Sequence, residues 1–184
     1  MASSKPGVAT PAGTVASEDF AEALTVLVSL LENGRGELRG HSALVSRLVR
    51  KIAERIGMSA YEINGFVVAA LLHDIGKSSA YHLTALNVSE YEGHRLAAQK
   101  SHTAPLRLFE SVQLGQSAES ALRSMYERFD GQGFPDGTSA KDVPLGARLI
   151  SIAETYADLT QNSRNPFRKK LSPTEACEVL ARVP

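Results

Sequence analysis

The sequence predicts an all-α protein, and three observations carry that prediction. Apolar residues recur at three-and-four spacing in one segment after another. Capping residues and glycines bracket those segments where helices start and stop. No segment alternates apolar and polar residues as a half-buried strand would. There is no internal repeat, and 184 residues suffice for a single domain with a substantial core.

Taken in order, residues 1–16 are mostly Ser, Pro, Gly, Ala and Thr with almost no charge, the composition of a disordered tail, and 17–184 is the helical domain. A first helix runs from Ser17 with Phe20, Leu24, Leu27 and Leu31 on its buried face, closed by Asn33 and Gly34. A second, about 37–56, carries Leu44, Leu48, Ile52 and Ile56 inward and Arg47, Arg50 and Lys51 outward. It places Glu37 and His41 one turn apart on one face. The third opens at a capping box of Ser59 and Glu62, carries Ile63, Phe66, Val67, Ala70 and Leu71, and ends in His73-Asp74-Ile75-Gly76-Lys77. Gly76 is its left-handed stop.

Residues 78–89 lose their period and read as a loop holding Tyr81 and His82. Ser89 and Glu92 form a second capping box for the helix bearing His94, with His102 at the junction before Pro105. An amphipathic segment follows through Leu106, Phe109 and Val112. A helix over about 117–129 aligns Ala118, Leu122, Met125 and Phe129 and runs into a Gly/Pro-rich loop at 130–137. Pro144 opens a helix with Leu145, Leu149, Ile152, Tyr156 and Leu159 inward. Asn165-Pro166 breaks it, and Ser172-Pro173 with Glu175 starts a short last helix.

Composition narrows the function. Twenty Lys plus Arg balance twenty Asp plus Glu, so no global field recruits a DNA or RNA polymer or an anionic membrane. An anionic ligand must be held by local charges. The single cysteine, Cys177, excludes an intrachain disulfide, fits a reducing compartment and reads as a small buried residue. No apolar run is long enough to span a bilayer and no signal peptide is present, which points to the cytoplasm.

The chemistry gathers at His73-Asp74. The helix leading there is so apolar that it must be buried, and the pair then emerges inside the protein, where an unpaired carboxylate is costly. A divalent transition metal removes that cost, because imidazole and carboxylate are its ligands and an open position lets it activate water. The candidates are His41, His73, Asp74, His82, His94 and His102, with acids facing the same cavity.

Gly40-His41, the run from Leu71 to Lys77, Lys100-Ser101-His102, the run from Tyr126 to Pro135, Val143 to Arg148, and Asn165 to Arg168 recur in an order and spacing that resemble HD-GYP domains. These are a branch of the HD metal-dependent phosphohydrolases, and the resemblance runs from about Gly40 to the C-terminus. It implies an HD-type helical bundle and hydrolysis of cyclic di-GMP at a divalent metal centre of Fe, Mn, Zn or Ni. By resemblance, His41, His73 and Asp74 hold one metal, and Asp74 bridges to a second that His102 also binds. Lys77 faces the substrate phosphate, and Glu37 falls where some members hold an extra metal. Arg164 and Arg168 approximate two basic residues that contact the dinucleotide, with Asn165 inserted in their spacing. Gly133-Phe134-Pro135 stands for the Gly-Tyr-Pro of the loop.

The departures carry equal weight. Met125 and Tyr126 replace two consecutive histidines, and Glu154 replaces an aspartate. The resemblance thus implies a degenerate member with an incomplete second metal site and one metal per chain, Glu154 completing the first. Two functions fit: a phosphodiesterase acting on a cyclic dinucleotide or another phosphate ester, or an inactive module that binds a ligand or a signalling protein. Some residues keep two readings. His82 and His94 are surface residues or replacement ligands, and Glu154 is a ligand or pairs with Lys77 or Arg148. Met125 belongs to the core. Relatives usually continue past the last helix, so the chain reads as an excerpt.

Overall fold

A computed structural model describes residues 18–34, 36–77 and 82–183, apart from the side chains of Glu18 and Glu37. The tail expected over 1–16 and Tyr81 lie outside the described residues. The described residues form nine α-helices and no strand: α1 (Glu18–Glu32), α2 (His41–Arg55), α3 (Ala60–Leu72), α4 (Ala85–Glu90), α5 (Glu92–Ser101), α6 (Ala104–Leu108), α7 (Gln116–Arg123), α8 (Leu145–Gln161) and α9 (Pro173–Leu180). Short 3₁₀ turns lie at Gly36–Leu38 and Ala140–Asp142.

Helix α3 is the axis of the bundle. Its capping box forms as expected, Ser59 Oγ accepting the Glu62 N–H at 3.3 Å and the Glu62 carboxylate accepting the Ser59 N–H at 3.2 Å. Every residue from Gly65 to Leu72 is buried, because α1, α2, α7 and α8 pack around it and leave no solvated face. A β-carbon on Gly146 of α8 would come within 2.6 Å of the Phe66 ring, so that glycine sets how closely α8 approaches. Gly76, at φ 78°, turns the chain left-handed just past the helix end. The result is a helix that delivers His73 and Asp74 into the interior.

Several expectations about individual elements fail for physical reasons. Gly40 takes a left-handed φ of 75°, which separates the 3₁₀ turn from α2. Glu37 and His41 therefore do not share a helix face. The inner side of α2 is Val45, Val49 and Ala53, with Leu44, Leu48 and Ile52 alongside and Ile56 exposed. On α1 the buried stripe is Ala21, Leu24 and Val28, while Leu27 and Leu31 are exposed. That helix is apolar nearly all round, so periodicity could not select its inner face.

The loop expected over 78–89 contains α4, whose cap is Thr84, its hydroxyl accepting the Asn87 N–H at 3.1 Å. Ser89 is inside α4 and donates to Leu86 O at 2.8 Å, so it caps nothing. Helix α7 stops at Arg123, leaving Met125 buried and Phe129 exposed. On α8, Leu149 and Leu159 are buried but Ile152 is exposed; the inner side is Ile150, Ala153, Glu154, Ala157 and Asp158. The capping box of Ser172 and Glu175 opens α9, which docks Ala176 against Leu86, Leu159 and Leu171. Cys177 on that helix is exposed rather than buried.

Candidate metal centre

Three helix ends and one helix face converge on a buried cluster. His41 is the first residue of α2, turned inward by the break at Gly40, and neither of its ring nitrogens has a hydrogen-bond partner among the described residues. His73 caps the C-terminus of α3. Its Nδ1 lies 2.7 Å from Ala70 O, and because a carbonyl only accepts, Nδ1 carries the proton and Nε2 presents a lone pair. That Nε2 also has no hydrogen-bond partner, standing 3.8 Å from Asp74 Oδ1 and 3.7 Å from Glu154 Oε1.

His82 completes the group, just before α4. Its Nε2 is 3.0 Å from Asp74 Oδ2 and its Nδ1 is 3.0 Å from Asp158 Oδ1. The rings of His41 and His82 meet edge to face at 4.3 Å between centroids. His41, His73, Asp74 and His82 each offer a ligand atom, all within 4.8 Å of one another. Glu154 is fully buried and neither carboxylate oxygen is hydrogen-bonded among the described residues. The alternative of a pair with Lys77 or Arg148 does not form; Glu154 Oε1 faces His73 and His82, the latter at 3.9 Å.

The electrostatics follow from burial and neighbours. Burial, with His82 and His73 nearby, holds His41 well below the usual histidine range, and burial lowers His73 to about 4. Both are neutral imidazoles at pH 7. For His82, burial opposes protonation, but the carboxylates of Asp74 and Asp158 outweigh it and raise the group to about 10. For Asp74, burial is outweighed by His73, His82 and Lys77, and the carboxyl sits well below its ordinary value. Burial pushes Glu154 up to about 8, against the pull of Lys77 and His82.

This donor set fits a divalent transition metal. Among the described residues, His41 Nδ1 and Nε2, His73 Nε2 and both Glu154 oxygens make five buried polar atoms without hydrogen bonds in one place. Each such atom costs roughly 1–3 kcal/mol unless a partner arrives. Neutral imidazoles and carboxylates are the ligand types zinc, iron, manganese and nickel take.

The other sequence candidates divide. Lys77 is buried beside the cluster, its Nζ 3.5 Å from Asp74 Oδ1. His102 is not brought into the group: its Nδ1 faces Gln99 O at 2.9 Å and its ring meets Phe134 edge-on at 5.5 Å. The side chain of Glu37 lies outside the described residues. Phe134 is buried and stacks on Tyr126 at 5.1 Å, and a β-carbon on Gly133 would come within 2.5 Å of the Glu127 and Arg128 backbone. Gly133-Phe134-Pro135 thus packs a loop against the centre, with Arg95 donating to Gln132 O at 3.1 Å.

Arg164 and Arg168 do share a cleft. Both line a cleft of about 830 Å³ together with Tyr91, His94 and Asn87. Asn165, which looked like an insertion between them, builds the loop: its Nδ2 donates to Leu159 O, Asn162 O and Lys169 O at 3.1, 2.8 and 2.7 Å. Arg168 is held at φ 53°, its N–H on Asn165 O at 2.9 Å. A left-handed non-glycine residue costs on the order of 1–3 kcal/mol and marks a position the surroundings impose. Asn87 is the shared wall, donating from Nδ2 to His82 O at 2.8 Å and to Asp158 Oδ2 at 3.3 Å. His94 faces this cleft rather than the metal cluster.

Sequence reasoning missed Asp158 and left His82 undecided. Glu154 and Asp158 are four residues apart on α8 and so share a face, a signal legible in the sequence. His82 gives no such signal, since it sits in an aperiodic segment.

A helical bundle whose central helix ends in a buried His-Asp pair, facing further histidines and a carboxylate that could together hold a metal ion, defines a domain of the HD type. The chain belongs to the HD domain family, whose family model matches residues 25–183. It is similar to a cyclic di-GMP phosphodiesterase of Thermotoga maritima, 31% identical over 164 residues, covering 86% of this chain and 44% of that protein. It is also similar to the cyclic di-GMP phosphodiesterase response regulator RpfG of Xanthomonas campestris, at 29% identity over 80% of this chain and 39% of the relative. A third similar protein is the 3'3'-cGAMP-specific phosphodiesterase 1 of Vibrio cholerae, at 30% identity over 76% of this chain and 32% of the relative. The chain spans less than half the length of each of these relatives.

Proposed function

We propose that this domain is a metal-dependent phosphodiesterase that acts on a cyclic dinucleotide or a closely related phosphate ester, with one divalent ion per chain. The observation that carries the reading is the set of buried, unbonded donor atoms on His41, His73 and Glu154 around the ionised Asp74. Those four residues would hold the ion, with His82 as a further ligand. Bound there, iron, manganese, zinc or nickel supplies Lewis acidity toward a phosphoryl oxygen and activates water near neutral pH.

The chain's own residues do the rest. Asp158 fixes the His82 ring by accepting from Nδ1, which keeps Nε2 turned to the centre. Lys77 holds positive charge against Asp74, where charge develops on a phosphate. Arg164 and Arg168 receive phosphate oxygens in the adjoining cleft, and among the described residues no carboxylate lines it to compete. The second metal of the resemblance lacks a ligand group here, since Met125 and Tyr126 occupy two of its positions and His102 stands apart.

Residence in the cytoplasm belongs to the same proposal; no helix among the described residues is long and apolar enough to cross a membrane. The test is to load the purified protein with Mn, Fe, Ni or Zn and follow conversion of cyclic di-GMP and 3'3'-cGAMP to linear dinucleotides, with Asp74→Ala as control. Turnover that the control loses supports the reading. Full metal loading with no turnover of either would overturn it and leave a ligand-binding module.

A further inference from the structure

We propose that the Lys77 ammonium, anchored by Tyr126 and Met125, is a built-in second cation of this centre, set so that the centre accepts one divalent ion. The inference rests on the metal-binding reading above and adds what limits it.

Lys77 is buried, and among the described residues its ammonium has two hydrogen-bond acceptors and one ion-pair partner. Nζ lies 3.5 Å from Asp74 Oδ1, donates to Tyr126 Oη at 3.0 Å and donates to Met125 Sδ at 3.2 Å. It also lies 4.9 Å from the centroid of the Tyr126 ring, within reach of its π-face. The phenol is not free to turn away. Tyr126 Oη donates to Leu83 O at 2.7 Å, and a carbonyl only accepts, so the phenol's lone pair is what it presents to Lys77. Its ring is held in turn by stacking on Phe134 at an interplanar angle of 19°.

Asp74 Oδ2 faces His82 at 3.0 Å, while Oδ1 lies 3.5 Å from the anchored ammonium and 3.8 Å from His73 Nε2, so the ammonium occupies one side of an oxygen that also borders the imidazole cluster. A second divalent ion at Oδ1 would have to drive a buried lysine from all its partners. An ion held by the imidazoles and Asp74 sits beside a fixed positive charge and binds less tightly than the same ligands would otherwise allow. Met125 and Tyr126 are positioning residues in this account, acting through Lys77.

The experiment titrates the metal-free 184-residue chain with Co(II), reading the visible absorption of the bound ion, with a competing chelator to obtain Kd. The parent should saturate at one equivalent. Lys77→Met, which is one atom shorter and removes the charge, should bind Co(II) about tenfold or more tighter. Lys77→Gln should do the same and covers the case in which the methionine variant fails to fold. Tyr126→Phe keeps the charge and loses its anchor, so the ammonium can retreat from the ion; its Kd should fall between those of the parent and Lys77→Met. Unchanged or weaker affinity in folded Lys77→Met or Lys77→Gln overturns the inference, as does saturation of the parent at two equivalents. Parent-like affinity in Tyr126→Phe removes the positioning role. A parent that binds no Co(II) at all is a different failure, that of the metal-binding reading itself.

Discussion

His82 and Asp158 are joined at 3.0 Å through Nδ1 and Oδ1, and this bond turns the other ring nitrogen of His82 toward Asp74. Asp158 does not stand alone behind the ring. Asn162 Nδ2 donates to its Oδ1 at 2.7 Å and Asn87 Nδ2 to its Oδ2 at 3.3 Å. A carboxylate behind a histidine fixes the tautomer and the direction of the ring, and such support is typically worth roughly 10- to 100-fold in metal affinity.

Asp158→Asn keeps the shape of the side chain and removes its charge. Metal affinity measured by chelator competition should weaken by about tenfold. Affinity equal to the parent would show that the ring needs no carboxylate behind it.

Elemental analysis of protein purified without chelator should approach one equivalent of transition metal, and His73→Ala or Asp74→Ala should abolish it. Metal at about a hundred times its Kd should stabilise the parent by about 2.7 kcal/mol, a shift His73→Ala loses. A thermal midpoint indifferent to added metal would count against the centre.

Arg168→Glu places a negative charge in the cleft proposed to receive phosphate. Binding of a cyclic dinucleotide should weaken by about tenfold, the loss of roughly 1.5 kcal/mol for a charged hydrogen bond, and the difference should shrink at high salt. Equal affinity in parent and variant by calorimetry would move the ligand elsewhere.

The metal-free protein should lose stability as pH rises above neutrality. Glu154, ordinarily at 4.5, sits at about 8 because of burial, and His82, ordinarily at 6.5, sits at about 10 because Asp74 and Asp158 overcome its burial. Across the window from 6.5 to 10 the folded state therefore binds more protons than the unfolded state, and stability falls with pH. The depressed values of His41 and His73 act below that window. Thermal midpoints in the presence of a chelator, from about pH 6.5 to about 9.5, should fall steadily. A midpoint that climbs across this range would contradict the charge assignment.

The sequence by itself determined the all-helical class, the capping box at Ser59, the helix start at Ser172 with Glu175, the stop at Gly76 and the buried delivery of His73 and Asp74, though the second box expected at Ser89 did not form. These are local facts: a cap, a glycine and a helical period involve residues within one or two turns, and the chain order states them directly. It did not determine which side of α1 or α8 faces inward. Helices with apolar residues on several faces choose their buried side by what packs against them, so Leu27, Leu31 and Ile152 ended outside.

Only the tertiary structure decided the composition of the centre. His82 lies eight residues past Asp74 in a stretch without period, and its role depends on Asp158, 76 positions further along. Asn165 read in sequence as an extra residue that shifts the spacing of Arg164 and Arg168, yet its buried amide folds the loop that puts both in one cleft. Lys77, Met125 and Tyr126 read in sequence as a phosphate contact and two lost ligands; their contact at 3.0 and 3.2 Å shows one unit. Such relationships arise between segments far apart in the chain, where burial makes each polar atom find a partner, and no local pattern of residues encodes which partner it will be.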